Sequence, residues 1–367
     1  MIEIDGSYRE GGGQILRTAL SLSCLFQKPF RIFNIRKRRK KPGLMPQHLT
    51  AVRAAQLLSG ADVTGDSTGS TDLVFSPGET RGGDLFFDIG TAGSTSLVLQ
   101  TLVPAAVFSP SHPPLGKAGS REGNGELAEV VDKTTITLKG GTHVPLSPSF
   151  DFMADVFVPV LKMIGIDIRL SIDNYGFYPR GGGKIRCFIF PAEEINPLRV
   201  RERGDILRLK GYSGVGNLPI SIAERQRNAL SDKIYSGVKN IRFPVEIELQ
   251  DVSAPGQGTF VFIRSESQNF MAGFTSLGER GKKAEIVGAE AAEDFLRYYS
   301  TGAALDPYMS DQIVLYLSIC EEESEFMTSC VTDHLLTNLW TIGLFHEFRY
   351  SIEGEAGRPG TVRINDR

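Results

Sequence analysis

The chain predicts an α+β fold with a smaller α/β unit set into a larger one. Short strand-like runs alternate with segments of helical period over nearly the whole length, and a stretch of different texture, 192–277, interrupts them. Glycine triplets at 11–13 and 181–183, each beside a strand or helix, hint at an internal repeat.

In order, residues 1–5 read as a strand broken by Gly11–Gly13. The segment 14–25 then carries Ile15, Ala19 and Leu22 at helical spacing. A second helix is predicted from Pro46, a residue suited to the first helical position, to just before Gly60, with Leu49, Val52 and Leu57 on its apolar face. Strands follow near 72–76 and 84–89, a helix near 94–108, a strand near 133–139 and a helix near 149–163. Residues 109–128, rich in Pro, Gly and Ser, read as a flexible surface loop. The inserted stretch begins after Pro191 with a charged run and holds alternating segments at 244–249 and 259–264. Helical signals return at 282–299, 307–320 and 334–345, and strands are expected near 347–352 and 361–365.

A chain of 367 residues is long enough to bury its own core, and 41% hydrophobic with 23% charged residues excludes disorder over most of it. The four cysteines are scattered and show no zinc-ligand spacing, which points to a reducing, cytoplasmic setting. The N-terminus lacks the basic start and apolar run of a signal peptide. The longest apolar stretch, near 96–108, is too short for a bilayer and is interrupted by Gln100 and Pro104. Forty basic residues face 43 acidic ones, so a polyanionic partner must be met by a local patch.

Such a patch is present. Arg36 to Lys41 are six consecutive basic residues, followed by Pro42-Gly43. The run reads as a solvated face or localisation signal, or as a phosphate site, because it leads into a helix whose first turn carries Gln47 and His48 and whose dipole favours an anion. In the segment 10–14, Glu10 precedes three glycines that open a helix with Arg17 near its start. This is turn material, or an anion site in which Glu10 holds a divalent ion; it is neither a Walker loop nor a dinucleotide fingerprint.

Histidine is scarce, with five in the chain. His334 follows Asp333, taken as an N-cap, and opens an apolar helix. A helix start disfavours the imidazolium, so the ring is expected to be neutral: a structural hydrogen-bonder or an attacking nitrogen. Tyr308, Asp311 and Gln312 share a face of a helix opened by Asp306 and Pro307, which makes that face simply wet or suited to a purine.

Together these segments resemble the RNA 3'-terminal phosphate cyclase family over nearly the whole chain. The matching blocks are EGGGQILR at 10–17, the stretch 35–44 ending KPGL, QHLTAV at 47–52, TAGSTSLVLQT at 91–101, GGT at 140–142, GFYPRGGG at 176–183, YMSDQ at 308–312 and the His334 helix. The resemblance implies a large domain, 1–191 and 278–367, of repeated units each with a small β-sheet and two α-helices, carrying an inserted smaller α/β domain at 192–277. It also implies a ligase that uses ATP to convert an RNA 3'-phosphate to a 2',3'-cyclic phosphodiester, by nucleotidyl transfer through a histidyl-AMP and an RNA-adenylate. By position, His334 is then the nucleophile and Glu10 the ligand of a divalent metal, Mg or Mn. Gln100, Pro148, Phe152, Tyr308, Asp311 and Gln312 form the adenosine and α-phosphate pocket, and Arg17, Arg36, Arg39, Gln47 and His48 the phosphate set for RNA or triphosphate. Lys37 and Arg38 stand where the family commonly has small residues, which leaves Arg38 as the alternative to Arg39. The expected partners are ATP and RNA with a 3'-phosphate end, with no membrane; homodimerisation is left open. Two rivals remain at this point: an enolpyruvyl transferase, which shares the large-domain architecture, and a non-catalytic cyclase-like factor of ribosome assembly, whose kind lacks the histidine.

Overall fold

The computed structural model describes residues 1–108 and 133–365. The loop expected at 109–128 lies outside the described residues.

The first unit runs β1 (Ile2–Asp5), α1 (Gly13–Phe26), β2 (Phe30–Phe33), α2 (Pro46–Ser59), β3 (Asp62–Thr64) and β4 (Leu73–Ser76). Its sheet has the order β1-β2-β4-β3, with β1 and β2 parallel and the other pairs antiparallel. The second unit repeats the pattern with β5 (Asp84–Asp88), α3 (Thr95–Val107) and β6 (Thr134–Gly140). It continues through a helical stretch of α4 (Phe150–Phe152), a π turn (Met153–Phe157) and α5 (Val158–Met163) to β7 (Ile168–Asn174) and β8 (Gly183–Ile189). The order is again β5-β6-β8-β7 with one parallel pair.

The third unit opens with β9, only Arg199–Val200, and is then interrupted by the insert: β10 (Ile206–Gly216), α6 (Ile220–Gly237), β11 (Val245–Asp251), β12 (Gly258–Ser267), β13 (Met271–Leu277) and α7 (Ala284–Thr301). It resumes with α8 (Pro307–Leu317), β14 (Ser324–Thr328), α9 (Asp333–Phe345), β15 (Tyr350–Glu353) and β16 (Gly360–Ile364). Its sheet, β9-β14-β16-β15, has the same order and the same parallel first pair. Three sheets of one topology make the repeat; the glycine triplets do not mark it, since 11–13 leads into α1 and 181–183 into β8, positions that do not correspond between the units.

The insert has its own sheet, β11-β10-β12-β13, and its own core, in which Leu230 and Ile234 of α6 and Val287, Ala291 and Phe295 of α7 meet the sheet residues Leu209, Val261 and Phe274. Because β9 pairs with β14 and α7 fills this second core, we propose Ile206 and Thr301 as the bounds of the inserted unit, in place of 192 and 277. A single apolar core spans the three repeats, and α1 packs on α2, α3 and α9 at its centre. The loop–helix ends of units one and three therefore face each other. The four cysteines are unpaired, and among the described residues no helix is long and apolar enough to cross a membrane.

Local chemistry sets the helix starts that matter here. Pro46 opens α2, where the Met45 N–H donates to His48 Nδ1 at 3.1 Å. Asp306 caps α8 by accepting from the Met309 N–H at 2.8 Å, and its second oxygen accepts from Gly273 of the insert at 3.4 Å. Asp306 is fully buried, and burial pushes its carboxyl up to about 7 from 3.8. A raised acid keeps its proton in the folded state while the unfolded chain has released it, so its contribution to stability is intact below pH 4 and is lost as pH rises to 7. Asp306→Asn keeps the Met309 acceptor and removes this loss. The gain of the variant over the parent, measured by denaturant unfolding, is expected to grow by about 3 kcal/mol between pH 5 and pH 8. A gain independent of pH would show that Asp306 is ionised throughout.

Candidate active site

The site forms where the loop before α1 docks on the start of α9. Three consecutive residues make the joint. Tyr8 stacks on Trp340 with ring centroids 3.9 Å apart, Arg9 pairs with Asp333 at 3.1 Å, and Glu10 Oε2 accepts from His334 Nδ1 at 2.9 Å. Arg9 and Gly11 take positive φ angles in the turn that allows this. The other Glu10 oxygen accepts from Arg39 Nη2. One carboxylate thus joins the candidate nucleophile of unit three to the basic run of unit one.

The cap of α9 is Thr332, whose hydroxyl accepts from the Leu335 N–H at 2.9 Å; Asp333 is the first helical residue and not the cap. The downward pull on the His334 pKa expected from the helix start is also revised. The hydrogen bond to Glu10 is the largest influence and raises the imidazole pKa, outweighing burial, while the same contact holds Glu10 below the usual carboxylate range. The geometry has a second consequence. With Nδ1–H given to Glu10, Nε2 is the ring nitrogen left free to attack. The His334 side chain is 46% exposed, so a ligand reaches it without any rearrangement of the core.

Around this point the phosphate set separates into parts. Arg17 Nη2 donates to Gln14 Oε1 at 2.7 Å, and burial lowers the guanidinium pKa to about 10. His48 is buried; desolvation, with Arg17 and Arg36 nearby, lowers its pKa to about 3, so it is neutral. Its Nδ1 is taken by Met45, which leaves Nε2–H as a donor aimed past Gly13. A Cβ at Gly13 would lie 2.5 Å from His48 Nε2 and 2.8 Å from Arg17 Nη1, so glycine is what allows these two donors to crowd the helix start. No side chain caps α1, and its first N–H groups are left for an anion. Arg36 donates to the carbonyls of Lys41 and Gly43, bracing the basic turn from within. Arg38 donates to the Arg9 carbonyl, so of the two alternatives it is Arg39 that sits on Glu10. Gln47 lies against Gly93 at the start of α2.

Of the expected adenosine set, Gln100, Asp311 and Gln312 line one cleft with Arg17. Gln100 donates to Gln312, whose own amide donates to the Tyr308 carbonyl at 2.8 Å. Phe152 meets the half-exposed Tyr308 ring edge-on at 6.3 Å. Gly273 of the insert backs onto Phe152 and Val156. Asp311 is buried and raised to about 7 by burial, and it accepts from Thr332, the cap of the His334 helix. Pro148 is not joined to these residues by any described contact; it leads into Ser149, the cap of α4.

A cleft between α1, α3, α8 and α9 is lined by Gln14, Arg17, Gln100, Asp311, Gln312 and Asn338. Asn338 is a residue that sequence reasoning missed. Its Oδ1 accepts from Gln14 and Thr18 at 3.1 and 2.8 Å, and its amide donates to the Asp311 carbonyl at 2.6 Å. One turn after His334, it ties α9 to α1 and α8 and so fixes the histidine relative to Arg17 and Asp311. The available signal was a lone amide within the apolar run LLTNLW.

A neutral donor, two arginines, an open helix start and an imidazole held by a carboxylate are the chemistry that a nucleotide-handling, phosphoryl-type transfer centre needs. Comparison with known proteins agrees with that class. Residues 8–352 match the family model for RNA 3'-terminal phosphate cyclase. The chain is 41% identical to the RNA 3'-terminal phosphate cyclase of Ignicoccus hospitalis (99% of this chain, 98% of the relative), 42% to that of Sulfolobus acidocaldarius (97% and 98%) and 40% to that of Thermococcus kodakarensis (99% and 98%). The chain belongs to the RNA 3'-terminal phosphate cyclase family.

Proposed function

We infer that this chain is an ATP-dependent RNA 3'-terminal phosphate cyclase whose nucleophile is His334. The family supplies the reaction and its two substrates, ATP and an RNA 3'-phosphate. The observation that carries the residue assignment is Glu10, which holds His334 and Arg39 at one point.

In the first step His334 Nε2 attacks the α-phosphorus of ATP, forming a P–N bond as the bond to pyrophosphate breaks. Glu10 orients the ring and balances its charge, and Arg17 and the His48 Nε2–H stabilise phosphate oxygens. An oxygen of the RNA 3'-phosphate then attacks the same phosphorus, breaking the P–N bond and leaving RNA joined to AMP through a phosphoanhydride. The 2'-OH finally attacks the RNA phosphorus, losing its proton, and AMP departs. This step gains from the hydroxyl being held on the same ribose.

Tyr308 and Phe152 give the adenine an aromatic wall, with Gln100 and Gln312 as edge partners, while Asp311 and Asn338 hold the base of the pocket. The donor set fits a divalent metal in a limited way. Glu10 is ionised and part-exposed, and no group of three or more His, Cys, Asp or Glu forms a cage among the described residues. Mg or Mn would be held by Glu10 together with phosphate oxygens, and when bound it neutralises phosphate charge. What speaks against the non-catalytic alternative is that His334 is present, held by Glu10 and half-exposed.

Arg39→Ala is expected to weaken binding of a 3'-phosphorylated oligoribonucleotide by about 10-fold or more, the size of a lost charge-assisted bond, with little change for the 3'-hydroxyl form. Arg38→Ala is expected to affect both ends alike. Equal losses for both ends in Arg39→Ala, measured by fluorescence anisotropy, would reduce Arg39 to a general polyanion contact.

A further inference from the structure

The basic turn divides its six cations by their partners. Its arginines are engaged within the protein: Arg36 on the carbonyls of Lys41 and Gly43, Arg38 on the Arg9 carbonyl, and Arg39 on Glu10. Lys37, Lys40 and Lys41 are exposed, and among the described residues no carboxylate lies within ion-pair distance of them. Asp5 is the nearby acid that feels the Lys37 charge. The turn that carries the lysines is also well fixed. Lys37 and Arg39 N–H groups close successive turns on Asn34 and Arg36, Gly43 N–H donates to the Ile35 carbonyl at 2.8 Å, and Leu44 N–H donates to the Ser70 carbonyl at 2.9 Å.

We propose that Lys37, Lys40 and Lys41 form a docking surface for the phosphodiester backbone of the RNA strand upstream of its 3' end. Three exposed lysines within five residues of a braced turn, in a protein of net charge −3, are a local positive surface. It lies beside Arg39, the arginine that meets Glu10. A flexible lysine is a point charge that follows a backbone without demanding a base or a fixed register, whereas an arginine has the planar fork suited to one terminal phosphate. The surface would give affinity for longer RNA without sequence preference.

This rests on the cyclase reading, and the test separates the two. The variant carrying Lys37→Gln, Lys40→Gln and Lys41→Gln is compared with the parent in cyclisation of a 3'-phosphorylated dinucleotide and of a 12-nucleotide RNA, across a KCl series, with the KM for ATP measured alongside. The expected result is a fall of about 10-fold or more in kcat/KM for the 12-mer at low salt and less than twofold for the dinucleotide. The slope of log(kcat/KM) against log[KCl] for the 12-mer should become shallower by about 2, from about 0.7 per lost phosphate contact. An unchanged ratio between the substrates, or an unchanged salt slope, would overturn the docking surface while leaving the cyclase intact. A raised KM for ATP with equal losses on both RNAs would overturn it in favour of a triphosphate contact. A parent protein that cyclises neither RNA would sink the cyclase reading itself, and the docking surface with it.

Discussion

His334→Ala is expected to abolish both protein-bound AMP and cyclisation, lowering the rate by at least about 10⁴-fold, while the protein remains folded. The size of the effect follows from its being the bond-forming atom, for which no neighbour substitutes. His48, the nearest other histidine of the site, is held neutral with Nδ1 on Met45 and faces the start of α1. Survival of the fold follows from the structure around it. Thr332 caps α9 without the imidazole, Leu335 and Leu339 carry the helix packing, and the lost contact to Glu10 is part-exposed. Substantial cyclisation by the folded variant would remove His334 from the mechanism.

Arg17→Met is expected to lower the rate of enzyme–AMP formation by about 10²–10³-fold, the range seen when one donor to a developing charge is removed. Stability should move the other way or stay level. The guanidinium bonds to the neutral Gln14 amide, and desolvation already pulls its pKa down to about 10. A cation desolvated without a bonded carboxylate costs more than it returns, and a thioether of similar length fills the space. The joint readout, slower adenylation with an unchanged or raised melting temperature, marks a residue kept for its ligand. A melting temperature lowered by several degrees with normal adenylation would make Arg17 a packing residue.

How much of this was legible in the sequence depended on range. The starts of α2 and α8 were readable because Pro46 and the Asp306-Pro307 pair act within a few residues. The third repeat was not, because its first strand is the two residues Arg199–Val200 and its next helix comes only after the whole insert. Helical period likewise places a helix at 282–299 but does not say which sheet it covers, so the membership of α7 in the insert's core required the fold. The same limit applied at the site. A helix-end argument for a neutral His334 uses only local backbone; the Glu10 contact that raises its pKa spans 324 residues of chain and reverses the sign. That Arg39 and not Arg38 meets Glu10 is a matter of which way adjacent side chains turn, which composition does not record. The resemblance supplied the residues to look for, and the docking of Tyr8, Arg9 and Glu10 on α9 explains why Glu10, Arg39 and His334 meet.

The most direct test is incubation of the purified protein with α-labelled ATP and a divalent cation, followed by isolation of the protein. The account predicts label held through an acid-labile, base-stable phosphoramidate, absent from His334→Ala and discharged by an RNA ending in a 3'-phosphate with formation of the cyclic end. A folded protein that cyclises such RNA without ever carrying the label, or that carries it equally well in His334→Ala, would contradict the assignment of His334 as the nucleophile.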